Sequence, residues 1–245
     1  MKFEKESLHY EGKGKKVFTV KNFDDLLWLE FKDQLTAFNA LKKGEFANKG
    51  ELNCKIANLI FKILKKNKIP THLVEELTST ENIVEKLKMI PLEVVVRNVI
   101  AGSLAKKFMM EEGKKLDKPL VEFFYKKDEW SDPFINDDHA LLLGAVKSVA
   151  ELDELRTLAL RVNEVLIQTM SAINIELVDF KLEFGRNSKE QIILGDEITP
   201  DSCRLWDKKS GEKLDKDRFR RDLGKVKEAY EEVWTRLSYF WGGKV

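Results

Sequence analysis

Reactive side chains are dense in the run Leu177-Val178-Asp179-Phe180-Lys181-Leu182-Glu183-Phe184. The two-residue period of a strand puts Asp179, Lys181 and Glu183 on one face and leaves the other wholly apolar. A hairpin turning at residues 185–190 returns Gln191–Ile198, which brings Gly195-Asp196-Glu197 back along the same strand. Carboxylates from both strands then converge, as a hard cation such as Mg²⁺ requires when phosphate oxygens complete its shell. The plainer alternative is a solvated strand with alternating charge. Against it stands the continuation of acidic residues to Asp201, because packed carboxylates repel one another unless a cation offsets them.

Other runs suit anions. In Tyr10-Glu11-Gly12-Lys13-Gly14-Lys15-Lys16-Val17 two glycines allow backbone N–H groups to approach a ligand, and the lysines add positive charge. That would suit a nucleoside triphosphate under a hairpin, although the run is no Walker A loop, and a solvated turn remains open. In Val96–Ser103, Arg97 closes an apolar strand and Gly102-Ser103 precedes a helix, a pattern that fits an anion or simply an N-cap at Ser103. The polar run Asp128–His139 holds a lone His with no nucleophile–base spacing; Asn136 or Asp137 could merely cap the next helix. Arg204 and the alternating Asp217-Arg218-Phe219-Arg220-Arg221-Asp222 read either as a self-paired surface or as one arginine turned inward.

Positioning these groups requires both strands and helices. Residues 8–32 read as short strands. Leu52, Ile56, Leu59, Ile60, Ile63 and Leu64 then form one apolar helix face, and Pro70 discourages continuation. Met89–Arg97 is β-branched and strand-like, with helix signals near Ser103–Glu112. A long helix spans about Ser148–Ile173, opened by a Ser148/Glu151 capping box. The C-terminus is helical over Asp217–Leu223 and about Lys225–Tyr239. The order predicts an α+β protein, with a break near residues 80–90 that divides an N-terminal part, 1–85, from a larger one, 86–245.

Composition narrows the classes. The 245 residues carry 43 Lys+Arg against 42 Asp+Glu, a net charge of +1, which argues against a dedicated nucleic-acid binder. No stretch approaches the ~20 apolar residues of a membrane span, and the charged run Met1–Glu6 lacks a signal peptide's apolar core. Cys54 and Cys203 form no metal or disulfide framework, so reduced thiols in a cytoplasm are the expectation.

Taken together these segments resemble the SAICAR synthetase family, also called phosphoribosylaminoimidazole-succinocarboxamide synthase, from Tyr10 to about Tyr239. The carriers are Tyr10–Lys15, Phe31–Asn39, Val94–Ser103, Asp132-Pro133 with Asn136–His139, Leu177–Arg186, Leu194–Glu197, Pro200–Asp207 and Leu214–Arg220. The resemblance implies an α+β fold with a two-lobe, ATP-grasp-like and kinase-like arrangement of antiparallel sheets and C-terminal helices. It implies an ATP-dependent ligase joining L-aspartate to carboxyaminoimidazole ribonucleotide (CAIR), with Mg²⁺, in a cytoplasmic homodimer. By the same resemblance Gly12, Lys13, Gly14 and Lys15 lie over the ATP phosphates, with Met89 against adenine. Glu183 and Asp196 hold Mg²⁺, while Lys181 meets the transferring phosphate or the substrate carboxylate. Arg97, Ser103 and Arg204 bind the ribonucleotide, with Asp179 beside its base and Arg218 near an anionic group. Gly14, Gln34 and Ala140 depart from the commoner pattern without touching the proposed metal or ribonucleotide groups. A small-molecule kinase on a related fold, or a non-catalytic nucleotide sensor, are the competing readings; the kinase signatures H-R-D and D-F-G are absent.

Overall fold

The computed structural model describes residues 2–38 and 41–245. Met1, Asn39 and Ala40 lie outside the described residues; Met1 begins the charged N-terminal run and Asn39 ends the Phe31–Asn39 run. The fold is α+β with antiparallel sheets. The chain opens with β1 (Lys5–Glu11), β2 (Lys15–Val20) and β3 (Phe23–Phe31). A short ribbon, β4 (Gln34–Ala37) and β5 (Lys42–Glu45), leads to α1 (Lys49–Lys66), then β6 (Leu73–Glu76) and β7 (Glu81–Glu85). These strands build a five-stranded sheet in the order β1-β2-β3-β7-β6, with the ribbon separate.

The second sheet begins at β8 (Lys88–Val99), so the chain changes sheets at residues 86–87. After α2 (Gly102–Phe108) come β9 (Lys115–Tyr125), β10 (Phe134–Ile135), α3 (Asp137–Leu142) and α4 (Val149–Ser171). Then follow β11 (Ile175–Arg186), β12 (Ile192–Leu194), β13 (Cys203–Asp207), α5 (Asp217–Arg220) and α6 (Val226–Trp241). The sheet order is β10-β9-β8-β11-β12, with β13 also paired to β11.

Alternation decides which face of this sheet is dry. Ile90, Leu92, Val94 and Val96 of β8 and Phe180, Leu182 and Phe184 of β11 are buried in the same core as Leu152, Leu155, Val162 and Leu166 of α4. Glu93, Val95 and Arg97 therefore face the other way, as do Asp179, Lys181 and Glu183. Pro91 lies where β8 bulges against β11, between the Glu183–Glu93 and Gly185–Met89 pairs; a residue without an N–H is tolerated there. Although it falls within residues 1–85, α1 does not stop at the first sheet: Ile56, Ile60 and Leu64 join the core of α4 and the second sheet, and α1 packs along α6.

Local signals fared unevenly. Helix α1 has no side-chain cap of its own; the Asp33 carboxylate caps it from the preceding loop, accepting from Gly50 N at 2.9 Å and Asn48 N at 3.2 Å. Ser148 caps α4 through Glu151 N, but the reciprocal half goes elsewhere: Glu151 accepts from Lys147 N and pairs with buried Arg186. Of the two readings left open for Ser103, the N-cap fails: the cap is Ala101, and the Ser103 hydroxyl accepts from Arg97 instead. Strand β11 runs on to Arg186, past the expected turn at 185, and Asn187 organises the turn by accepting from Lys189 N and Gln191 N. Asn136 caps α3 and His139 N donates to it, so the lone His is a first-turn residue. The two predicted helical stretches beyond 102 and 217 end early, α2 at Phe108 and α5 at Arg220. Among the described residues no helix is long and apolar enough to cross a membrane.

Candidate active site

Register alone assembles most of the site. On the face turned away from α4, Asp179 pairs directly with Arg97, Lys181 with Val95, and Glu183 with Glu93 across β11 and β8. On the other side of β11, Asp179 pairs with Arg204 of β13. Two cavities of about 370 and 580 Å³ open over this face, and Lys13, Thr36, Glu93, Lys181 and Lys216 line both.

At one end two arginines grip one carboxylate. Arg97 Nη1 donates to Asp179 at 3.0 Å, its Nε to Glu122 at 2.5 Å and its Nη2 to the Ser103 hydroxyl at 2.9 Å. Arg204 Nη1 donates to both Asp179 oxygens at 2.9 and 3.1 Å, and its Nε to Asp217 at 3.0 Å. The Arg204 guanidinium lies flat on Gly102, whose φ is +57°; a Cβ there would sit 2.5 Å from Arg204 Cζ. A side chain would thus be strained by the backbone and would evict the arginine. Burial works against Asp217, yet Arg204 and Arg220 hold its carboxyl down at about 2.

At the other end, lysines and carboxylates interleave. Lys181 donates to Glu93 at 2.9 Å and Glu183 at 2.5 Å, with Asp196 at 3.9 Å. Lys126 pairs with the far oxygen of Glu183. Lys15 bonds Asp196 at 2.5 Å and also pairs with Glu197. The backbone puts Asp196 there, since Gly195 N donates to Glu183 O at 2.9 Å where β12 ends. Burial would raise both acidic neighbours; Lys15 and Lys181 nevertheless hold Asp196 well below the usual carboxylate range. Glu197 takes the opposite path, pushed up to about 7 by burial and by the Asp196 charge. Lys181 stays protonated far above its ordinary value, because its three carboxylates outweigh the cost of burial.

The lysine–carboxylate end also offers a donor set for a divalent cation. It is all oxygen, and Glu183 and Asp196 both stand beside Lys181. Among the described residues no three His, Cys, Asp or Glu side chains stand close enough to cage a metal unaided. Two carboxylates with phosphate oxygens and water are nonetheless what Mg²⁺ takes, so the residues fit.

Most of the sequence-predicted residues meet here. The Gly12–Lys15 turn lines the larger cavity, although Gly12 N is spent on Lys15 O at 2.8 Å, so Gly12 offers no free donor. Lys13 reaches across to Asp128 at 3.0 Å. Gly14 has open space around it. Met89 packs beside Gly185 and Gly195, next to the acidic cluster, without lining either cavity. Arg218 is not brought in. It donates to the backbone carbonyls of Lys213, Leu223 and Gly224, and lies with Asp207 and Glu232 around a separate surface cavity.

Sequence reasoning gave Lys216, Glu93 and Lys126 no role, and named Asp201 and Arg220 only within longer charged runs without singling them out. Helical spacing carried part of the signal: Lys216 and Arg220 are four apart and face the cavity together, whereas Arg218 is about 200° round the turn from Lys216. Asp201 and Lys49 carried none, since their partnership spans 152 residues.

The SAICAR synthetase family profile matches residues 8–237. The phosphoribosylaminoimidazole-succinocarboxamide synthase of Nautilia profundicola is 54% identical over 231 residues, 94% of this chain and 98% of that protein. A solved structure described as SAICAR synthetase (Type-2) in complex with ADP matches with a TM-score of 0.90 at 48% identity, over 94% of this chain and 97% of that one. The phosphoribosylaminoimidazole-succinocarboxamide synthase of Ehrlichia chaffeensis gives 0.91 at 40%, over 95% and 98%. A profile match over nearly the whole length, together with curated and structural relatives of this identity, establishes that the chain belongs to the SAICAR synthetase family.

Proposed function

We propose that this site joins L-aspartate to CAIR with hydrolysis of ATP, the ligation in purine biosynthesis for which the relatives are named. The observation that carries the reading is the single sheet face on which an arginine pair and a lysine–carboxylate cluster share one strand. Asp179 and Lys181 are two positions apart on β11, about 7 Å. A ribonucleotide held at Arg97, Ser103 and Arg204 can therefore present its carboxylate to Lys181. Asp179, fixed by both arginines, stands beside the heterocycle.

ATP fits the larger cavity, with Gly12, Lys13, Gly14 and Lys15 above its phosphates and Met89 at the adenine edge. The ADP complex of a relative 48% identical supports nucleotide binding here. Glu183 and Asp196 would hold Mg²⁺, which when bound supplies charge neutralisation for the phosphates. The first sheet, within residues 1–85, would act as the covering lobe and residues 86–245 as the other lobe of an ATP-grasp-like, kinase-like arrangement.

A carboxylate is a poor electrophile. Transfer of the γ-phosphoryl group to the CAIR carboxylate gives an acyl phosphate and ADP. The aspartate amine then attacks the acyl carbon, the C–O bond to phosphate breaks, and the nitrogen gives up one proton, which leaves with inorganic phosphate as the amide forms. Phosphoryl transfer needs alignment and charge neutralisation more than covalent help, and Lys15 and Lys181 supply the charge. Lys216 and Arg220, which face the cavity with only long or local carboxylate contacts, offer a further anion site.

The substrates are small molecules; neither nucleic acid nor membrane enters the reading. By the family resemblance the enzyme would work as a cytoplasmic homodimer, and two free, buried thiols suit a reducing compartment. A kinase making a stable phosphorylated product is the less favoured reading. ADP release should be measured with MgATP, CAIR and aspartate, omitting each in turn. Release that needs all three, with a succinocarboxamide product, is expected; release without aspartate, giving a stable phosphorylated product, would refute the ligase.

A further inference from the structure

Behind the site lies a buried cluster that the reaction does not use. Asp201 lines both cavities, but its carboxylate is gripped from the rear. Oδ1 accepts from the Tyr230 hydroxyl at 2.6 Å. Oδ2 accepts from Lys49 Nζ at 2.5 Å and Asn53 Nδ2 at 2.8 Å. Tyr230 comes from α6 and Lys49 and Asn53 from α1, and all three are almost wholly buried. In front, Lys216 Nζ is 3.9 Å from Oδ1, beyond hydrogen-bond reach. Its backbone is pinned to the same loop, with Lys216 N donating to Pro200 O at 3.0 Å.

We propose that Tyr230 is a positioning residue: by occupying Asp201 Oδ1 from behind, it keeps that carboxylate from closing on Lys216 and so leaves the Lys216 ammonium free for an anionic group of the substrate. This rests on the ligase reading only for the identity of that anion, the carboxylate or phosphate of CAIR. With Oδ2 anchored by Lys49 and Asn53, the direction in which Oδ1 points is set by the hydroxyl that holds it, and a small turn about the Cβ–Cγ bond would bring it to Lys216. Burial costs the Lys216 charge most and drives its pKa down; Asp201 attracts it across the 3.9 Å gap, but Arg220 and Lys49 repel it, so the ammonium is incompletely compensated and suited to an anionic partner. The phenol ring has its own packing, edge-on to Phe46 at 5.3 Å between centroids, which Tyr230→Phe would keep.

The experiment is a double-mutant cycle of Tyr230→Phe and Lys216→Gln. Tyr230→Phe should raise the KM and the calorimetric Kd for CAIR about tenfold while changing the KM for ATP less than twofold. In the Lys216→Gln background the same replacement should change neither. A crystal structure of Tyr230→Phe should show Asp201 Oδ1 within 3.2 Å of Lys216 Nζ, a readout that needs no turnover. Unchanged CAIR affinity, an equal loss in both backgrounds, or an unmoved Asp201 would each overturn the proposal. A wild type that turns over no CAIR would instead overturn the ligase reading, and the crystal structure would still decide this one.

Discussion

Replacing Gly102 by Ala should disarm the ribonucleotide end of the site while sparing the nucleotide end. Two costs are separable. The backbone at φ +57° charges an L-residue about 1 kcal/mol, which falls on stability. The new methyl group would lie 2.5 Å from the Arg204 Cζ and Nη2 atoms, and carbon contacts settle nearer 3.5 Å, so the guanidinium must retreat by about 1 Å. That displacement breaks its bonds to Asp179, now 2.9 and 3.1 Å, and each charge-assisted bond is worth about 1.5–3 kcal/mol. A ribonucleotide that depends on the arginine then loses about 10- to 100-fold in kcat/KM. The assay is ADP release against CAIR with ATP and aspartate saturating, alongside a thermal melt. The KM for ATP should stay within twofold. If Gly102→Ala lowers the melting temperature but leaves kcat/KM for CAIR untouched, Arg204 does not hold that substrate and the reasoning fails.

Other expectations are shorter. Asp196→Asn should cost about two orders of magnitude in turnover at low Mg²⁺, in a protein that still folds but melts lower for the loss of the Lys15 partner; full activity there would remove Asp196 from the cation site. Arg218→Ala should do the reverse, losing about 1–3 kcal/mol of stability with its three carbonyl bonds while the KM for CAIR is unmoved; a raised KM would return Arg218 to the site. Asp215 is pushed up to about 7 by burial and by the Asp217 charge, against about 3.9 in an unfolded chain. Between those values the folded state holds the extra proton, so this contribution is full below pH 4 and fades as pH rises towards 7. Urea unfolding at pH 5 and 8 should show that fall in the wild type and its absence in Asp215→Asn; parallel behaviour of the two proteins would contradict it.

How far the sequence disclosed this site depended on the range of the forces involved. Strand alternation placed Asp179, Lys181 and Glu183 on one face, because the pleat is a local property. The hairpin return of Asp196 was equally local, and its pairing beside Glu183 followed. Arg97 and Ser103 were legible as a pair of polar groups, but the choice between anion site and N-cap was not, since it turned on which partner reached the hydroxyl first. Arg218 was singled out by the family resemblance within a run of alternating charge, while the geometry of a single helical turn gave the cavity to Lys216 and Arg220 instead. The grip on Asp201 needs α1, α6 and a loop to meet, and no window of sequence contains all three.

The packing of α1 against α6 carries a consequence for how the protein is made. The two helices are separated by about 160 residues, which a ribosome adds in about 10–30 s. Through that interval Ile56, Ile60 and Leu64 have emerged, but the Val233 and Leu237 face that shares their core has not. The first sheet can close early, since its strands are near in sequence, and α4 and the second sheet cover part of the helix beside it, but its cover is complete only when the C-terminal helix arrives. Nascent chains truncated before residue 226 should therefore bind chaperones through α1 and be cut there by protease. Release of the last helix, rather than completion of any sheet, is the event that ends this exposure.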